Sequence, residues 1–433
     1  MEKNMASEKD LLFPAFQKFY SALSSLERFR KENSFFDNIS SLDTFFSEFR
    51  NITFVLKKSL AHTAYMPIYE KLRSKYLSDL KWFVETRNQT SKEQPFDLIK
   101  CVEITAYMPW CSFEILEKKY TVYDDKPLTS IIDETKKFLD QIHPIEVFFS
   151  ARFSFFKQGF EENIFEKIPQ GIKTMLTFLE EFYDLIPKKS LLVDETRSQI
   201  EKKLTICIRQ DIFLVNDYVY YPAKNEFELV NRWEFIIGSP FGAGKKTTPR
   251  IPVKDGILGR PEFVQMGKNN FERFVFLHVA LRTQQELTPA FMLIFQDNTC
   301  EIDTFQSDNK TTLYRKIHET AQQILSENVK EVFFEYSMIS IANTPSALRM
   351  TAKERQRVAT EEWLVLLKID HELNEEEYEF YVPGLKCPGY IRQQFLAGSR
   401  KELRNGRANM QPIIEAFKKK IDNNRCEAGE LQS

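Results

Sequence analysis

Glycine is scarce in this chain, with 13 in 433 residues, and only five histidines and six cysteines accompany it. No dinucleotide-binding glycine fingerprint and no Gly-x-Ser-x-Gly elbow occurs. The cysteines (Cys101, Cys111, Cys207, Cys300, Cys387, Cys426) form no Cys-x-x-Cys pair and none lies a short step from a histidine, so neither a zinc site nor a disulfide framework is indicated. The histidines His62, His143, His278, His318 and His371 also lack metal-ligand spacing. No metal and no cofactor is therefore expected. Charge of one sign is missing too: the formal net charge of −2 argues against a chain built mainly as a polyanion binder and leaves local basic patches to be weighed singly. No apolar run reaches the length of a membrane span, and the N-terminal "MEKNMASEKDLLFPAF" mixes acids with bases, unlike a signal peptide. A cytoplasmic protein without a membrane partner is expected. In that compartment the sequons at Asn38, Asn51, Asn88 and Asn309 carry no meaning.

Phenylalanine is abundant, at 39 residues, in a chain that is 42% apolar and 28% charged. That composition belongs to a folded protein with Phe-filled cores and excludes wholesale disorder. The length suggests about three units. An α+β multidomain fold is expected: a helical N-terminal bundle over 1–200 with a strand hairpin at 98–123, a mixed, partly antiparallel sheet domain over 201–345, and strands and helices over 346–433 packed on it. Helical spacing marks 16–30, a helix capped at Ser40 with Asp43, a third from Pro67 to Asn88, and segments over 128–143, 145–166 and 170–186. Phe149, Phe153, Phe156 and Phe160 give the middle segment the strongest apolar stripe in the chain. From about 203 the pattern turns strand-like, with a turn at Asn216-Asp217 and strands at "RWEFIIG", "RFVFLHVALRT", "AFMLIFQ", "TCEIDTF", "EVFFEYSMI", "EEWLVLLKID" and "EEYEFYV". Helices at "TTLYRKIHETAQQILSE" and "MQPIIEAFKKKI" complete the reading.

The loop "GSPFGAGKKTTPR" resembles a phosphate-binding turn but fails its register: Ser239 stands where the first glycine belongs and Lys246 where the magnesium-holding hydroxyl belongs. A basic connection remains, in which Lys245, Lys246 and Arg250 are candidate phosphate contacts, as are Arg404 and Arg407 within the basic cluster near the C-terminus. The Lys418–Lys420 run equally suits the negative end of a helix. Glu301, Asp303 and Glu335 are strand carboxylates whose alternation with apolar residues places them on a solvent face.

The stretch "FVETRNQTSKEQPF" is the most informative. Phe83, Leu80, Tyr76, Leu72 and Ile68 share one helical face, and Arg87 continues it. A guanidinium there needs a partner or a use; Glu85, Glu93 and Asp97 are near enough in sequence to satisfy it. The Arg87-Asn88 pair resembles the signature of HEPN domains, helical bundles many of which are metal-independent ribonucleases, in which Arg and a polar residue precede a His. Here Gln94 occupies the His position. The resemblance spans at most the first two hundred residues, and a second Arg-Asn pair stands at 50–51. It implies an RNA-directed role in defence or toxin-like regulation, Arg87 contacting phosphate, Asn88 orienting it, and a site completed across a homodimer. Metal-free RNA cleavage needs a proton carrier and a cation for the phosphate. Arginine supplies the second, glutamine cannot supply the first, and His62 is the substitute to look for. The rival reading is a non-enzymatic interaction or ligand-sensing scaffold protein.

Overall fold

The computed structural model describes residues 11–109, 114–122, 128–186, 190–205, 211–234, 241–242, 250–282, 290–382, 400–402 and 410–430. The fold is α+β, with helices leading and strands dominating later. Every strand pairing among the described residues is antiparallel.

Helices α1 (Phe13–Leu26), α2 (Phe35–Leu60), α3 (Met66–Tyr76), α4 (Lys81–Lys92), α5 (Leu128–Leu139), α6 (Ile164–Leu185) and α7 (Leu191–Leu204) cover one face of a five-stranded sheet. Its order is β2 (Glu114–Val122), β1 (Leu98–Met108), β3 (Val147–Lys157), β4 (Val215–Tyr221), β5 (Glu226–Leu229). The hairpin expected at 98–123 is β1 and β2. The helix expected over 145–166 is instead the central strand β3. Its inward residues Phe149, Ala151, Phe153 and Phe155 follow a period of two and join the helical core, while Phe148 points to the opposite face. Asn216 and Asp217 lie within β4 rather than in a turn, held by pairing to β3. The third helix is also interrupted. Tyr69 on α3 packs on Phe178 and Phe182 of α6, whereas Phe83 on α4 packs on Phe45 and Phe49 of α2, and one straight helix cannot face both. A single tight turn at Ser78–Leu80 redirects the chain. The cap of α2 is Ser34, whose side chain accepts from Asp37 N, not Ser40.

After a short helix α8 (Asp211–Leu214), the chain builds a second sheet in the order β13 (Arg400–Glu402), β12 (Glu375–Tyr381), β11 (Glu361–Asp370), β10 (Val329–Ser340), β8 (Ala290–Phe295), β9 (Thr299–Ser307), β6 (Arg232–Glu234), with β7 (Ile251–Pro252) also on β9. Helices α9 (Pro261–Met266) and α10 (Asn270–Arg282) lie before β8, α11 (Thr311–Ser326) between β9 and β10, α12 (Ala352–Arg357) between β10 and β11, and α13 (Gln411–Glu430) last. The strand expected at "RFVFLHVALRT" is α10. Phe274, Val275, Leu277, His278 and Val279 are all buried, so its apolar residues leave no amphipathic period to read.

The layers stack on alternation. Tyr107, Phe148 and Val219 leave the outer face of the first sheet to meet α11, α13 and the Phe291–Phe305–Phe334 face of the second sheet. Met292, Phe333, Leu364 and Leu366 leave the other face of the second sheet to meet α10. Five layers result: helices, sheet, α11 with α13, sheet, α10.

Candidate functional site

Arg87 sits in the second half of α4, half-buried, with Asn88 exposed beside it. Its Nη1 donates to Asn88 Oδ1 at 3.3 Å, and its Nε is buried without a hydrogen-bond partner. No carboxylate among the described residues pairs with it. Glu85 lies 3.5 Å from Lys81, and the backbone carbonyl of Asp97 accepts from Gln158 N. On the neighbouring turn Thr86 is fully buried and receives Lys157 Nζ at 3.3 Å. Burial holds the Lys157 ammonium below its ordinary value, offset in part by Glu85 and Asp97. Arg87 and the Lys157 that bonds Thr86 thus attach to consecutive residues at the middle of α4, Lys157 under the field of Glu85 and Asp97 and Arg87 without a carboxylate in contact among the described residues.

Gln94 lies exposed just past α4, its backbone N–H donating to Gln89 O. His62 is not brought to it. Trp82 and Phe83 rest on Phe46 and Phe49, and Phe96 N donates to Asp43, so α4 leads toward the start of α2. His62 follows the other end of α2, exposed, with φ +65°, roughly 20 Å beyond Phe49 at the rise of a helix. The pair at Arg50-Asn51 is occupied locally, with Arg50 Nη1 donating to Thr53 Oγ1 at 2.6 Å.

The remaining phosphate candidates divide. Arg250 is exposed but engaged: its guanidinium pairs with Glu327, approaches Glu301 at 3.7 Å and lies 3.5 Å from the centre of the Phe295 ring. Lys245, Lys246, Arg404 and Arg407 lie outside the described residues. Lys420 of the C-terminal run donates to the carbonyls of Ile324 and Glu327, closing the end of α11.

The strand carboxylates are not on a solvent face. Asp303 holds the buried Lys316 at 3.1 Å, and Glu301 reaches Arg250 and Gln323. Glu335 is 1% exposed on β10 and stands 3.8 Å from His278 Nδ1 of α10, each with an unsatisfied atom. Burial pushes the Glu335 carboxyl up to about 8 and the His278 imidazole down to about 3, so both are neutral at pH 7 and the contact is not an ion pair. Among the described residues no three His, Cys, Asp or Glu gather as metal ligands, and no helix is long and apolar enough to cross a membrane.

A buried charge network, invisible in linear sequence, joins the first sheet to α11. Arg315 Nε donates to Asp217 Oδ1 at 2.9 Å and its Nη1 to Glu319 at 3.0 Å. Arg232 Nη1 and Thr312 Oγ1 complete the shell of Asp217 at 3.1 and 2.9 Å, and Arg152 reaches Glu319 at 3.3 Å. Burial alone would raise the Asp217 carboxyl, but Arg315 and Arg232 hold it below the ordinary carboxylate range. Alongside, Tyr107 hydroxyl lies 2.7 Å from Ser150 Oγ and its ring stacks on His318, whose imidazole burial lowers to about 4.

No protein-family model, no curated protein and no solved structure matches the chain.

Proposed function

We propose that this chain is an RNA-directed protein, related in its N-terminal site to HEPN domains, that grips backbone phosphate through Arg87 and Asn88 and does not itself cleave. The observation that supports it is the Arg87 guanidinium, half-buried, with an empty Nε and no carboxylate. Its planar donors suit a phosphodiester oxygen pair, and Asn88 fixes one edge of the fork. Cleavage is disfavoured because Gln94 cannot carry a proton at neutral pH and His62 stands at the far end of α2. Self-association and a role in defence are carried over from the same resemblance.

The test is binding and cleavage of a fluorescent single-stranded RNA by purified protein without divalent metal. Wild type should bind in a salt-dependent manner without cutting, Arg87→Ala should lose at least tenfold in affinity, and Gln94→His should be examined for gained cleavage. If wild type does not bind RNA, or Arg87→Ala binds equally well, the RNA reading fails and the interaction-scaffold reading takes its place.

A further inference from the structure

Between the end of β9 and α12 lies a cavity of about 470 Å³, lined by Ser307, Asp308, Lys353, Gln356 and Arg357. Its size is that of small-molecule sites, commonly about 300–1,000 Å³, but its wall is charged where theirs is mostly apolar. The ligand it suits is correspondingly polar.

The two walls differ in chemistry. Lys353, Gln356 and Arg357 fall at positions i, i+3 and i+4 and so share one side of α12, which a Thr351–Glu354 capping box anchors. Lys353 is bridged between Glu228 and Asp308, the latter at 3.8 Å. Arg357 is exposed and has no hydrogen bond or ion pair among the described residues. On the opposite wall Ser307 Oγ donates to Asn309 O at 2.6 Å, which leaves its lone pairs free to accept. Asp308 Oδ1 receives Asn231 N at 3.1 Å, and Oδ2 is the oxygen nearest Lys353. One side therefore offers cationic and amide donors and the other offers acceptors.

We infer that this cavity binds a sugar phosphate, its phosphate on Arg357 and Lys353 and its hydroxyls on Asp308 and Gln356. A bare phosphate would leave the acceptors of Asp308 and the amide of Gln356 unused, and an uncharged sugar would leave Arg357 unused. Only a ligand with an anionic end and a hydroxyl-bearing end uses both walls. A phosphorylated sugar and a free nucleotide both supply that chemistry. The inference does not depend on the reading of Arg87.

Calorimetric titration of the whole chain with ribose 5-phosphate, AMP, inorganic phosphate and ribose tests it. Arg357→Ala and Asp308→Asn suit as variants, because Arg357 has no structural partner and asparagine retains an acceptor for Asn231 N. Ribose 5-phosphate or AMP should bind at least tenfold more tightly than phosphate or ribose, the tighter of the two identifying the source, and each variant should weaken that ligand at least fivefold. No binding by either at millimolar concentration, phosphate binding as tightly as the sugar phosphate, or affinity unchanged in both variants would overturn the assignment.

Discussion

A carboxyl and an imidazole buried together between α10 and β10 make the stability of this protein depend on pH in a calculable way. Glu335 keeps its proton up to about pH 8 in the folded chain, whereas its unfolded value is 4.5. Above 4.5 the unfolded state sheds a proton the folded state retains, so stability falls as pH rises, until about 8. His278 acts at the other end: it resists protonation down to about 3, so below 6.5 the unfolded state gains a proton and stability falls as pH drops. The two slopes cancel between 4.5 and 6.5, which is where this pair permits the greatest stability. At about 1.4 kcal/mol per pH unit, the Glu335 share at pH 8 amounts to about 5 kcal/mol. Glu335→Gln removes the ionisable group and should flatten the alkaline limb, giving a higher urea midpoint than wild type at pH 8 and a similar one at pH 5. Equal midpoints at pH 8 would show that the carboxyl ionises without cost.

At the scale of elements, packing decided what local pattern left ambiguous. The run Phe148 to Phe156 satisfies a period of 3.6 through Phe149, Phe153 and Phe156 and a period of two through Phe149, Ala151, Phe153 and Phe155; pairing with β1 and β4 selects the second. The α10 segment erred the other way, because a helix buried on most sides has lost its polar face. The hairpin was legible because β1 buries alternate residues, α11 because its apolar residues keep helical spacing, and β10 and β11 because strands buried on both faces read as continuous apolar runs. Of the candidate site, Arg87 and Asn88 were legible as a short motif, but the distance to His62 was set by which end of α2 meets α4, and the cavity at Asp308 gathers residues far apart in the chain. Only the Thr351–Glu354 cap and the Lys353–Arg357 spacing left a trace of it. The α4–α6 contact yields its own prediction. A Cβ on Gly171 would stand 2.1 Å from Phe83 Cζ, and that ring is hemmed in by Phe45, Phe46 and Phe49. Alanine gains about 1 kcal/mol of helix propensity over glycine, yet overpacking commonly costs about 1–3 kcal/mol. Gly171→Ala should therefore destabilise, read as a lower denaturant midpoint with an unchanged slope; a raised midpoint would mean that Phe83 moves freely.

For the molecule as a whole, the interleaving of sheets and helices makes α11 the keystone between its halves. One side of α11 meets the second sheet through Ile317 and Ile324, while Thr312, Arg315 and Glu319 carry charge and hydrogen bonds to the first. Arg315 is 1% exposed and Asp217 likewise, so removing Arg315 leaves a buried carboxylate with only Arg232 and Thr312 of its named partners. Arg315→Met keeps the apolar bulk and should cost about 3–5 kcal/mol, the range for a broken buried pair. Asp217 gives this contact a pH signature as well. Its folded value is held below the ordinary one, so its contribution is present at neutral pH and is lost as the solution is acidified through the carboxylate range. Arg232 remains beside it in the variant, so part of that acid sensitivity should survive. Hydrogen exchange distinguishes a local wound from a loosened junction: in wild type the slowest amides of β3 and β10 should open with one common free energy, and in Arg315→Met the two should separate. A uniform loss in both strands would instead show that Asp217 and Arg315 stabilise a single cooperative unit in which the layers cannot part, and would assign their coupling to the apolar contacts of Tyr107, Phe148 and Val219 with α11.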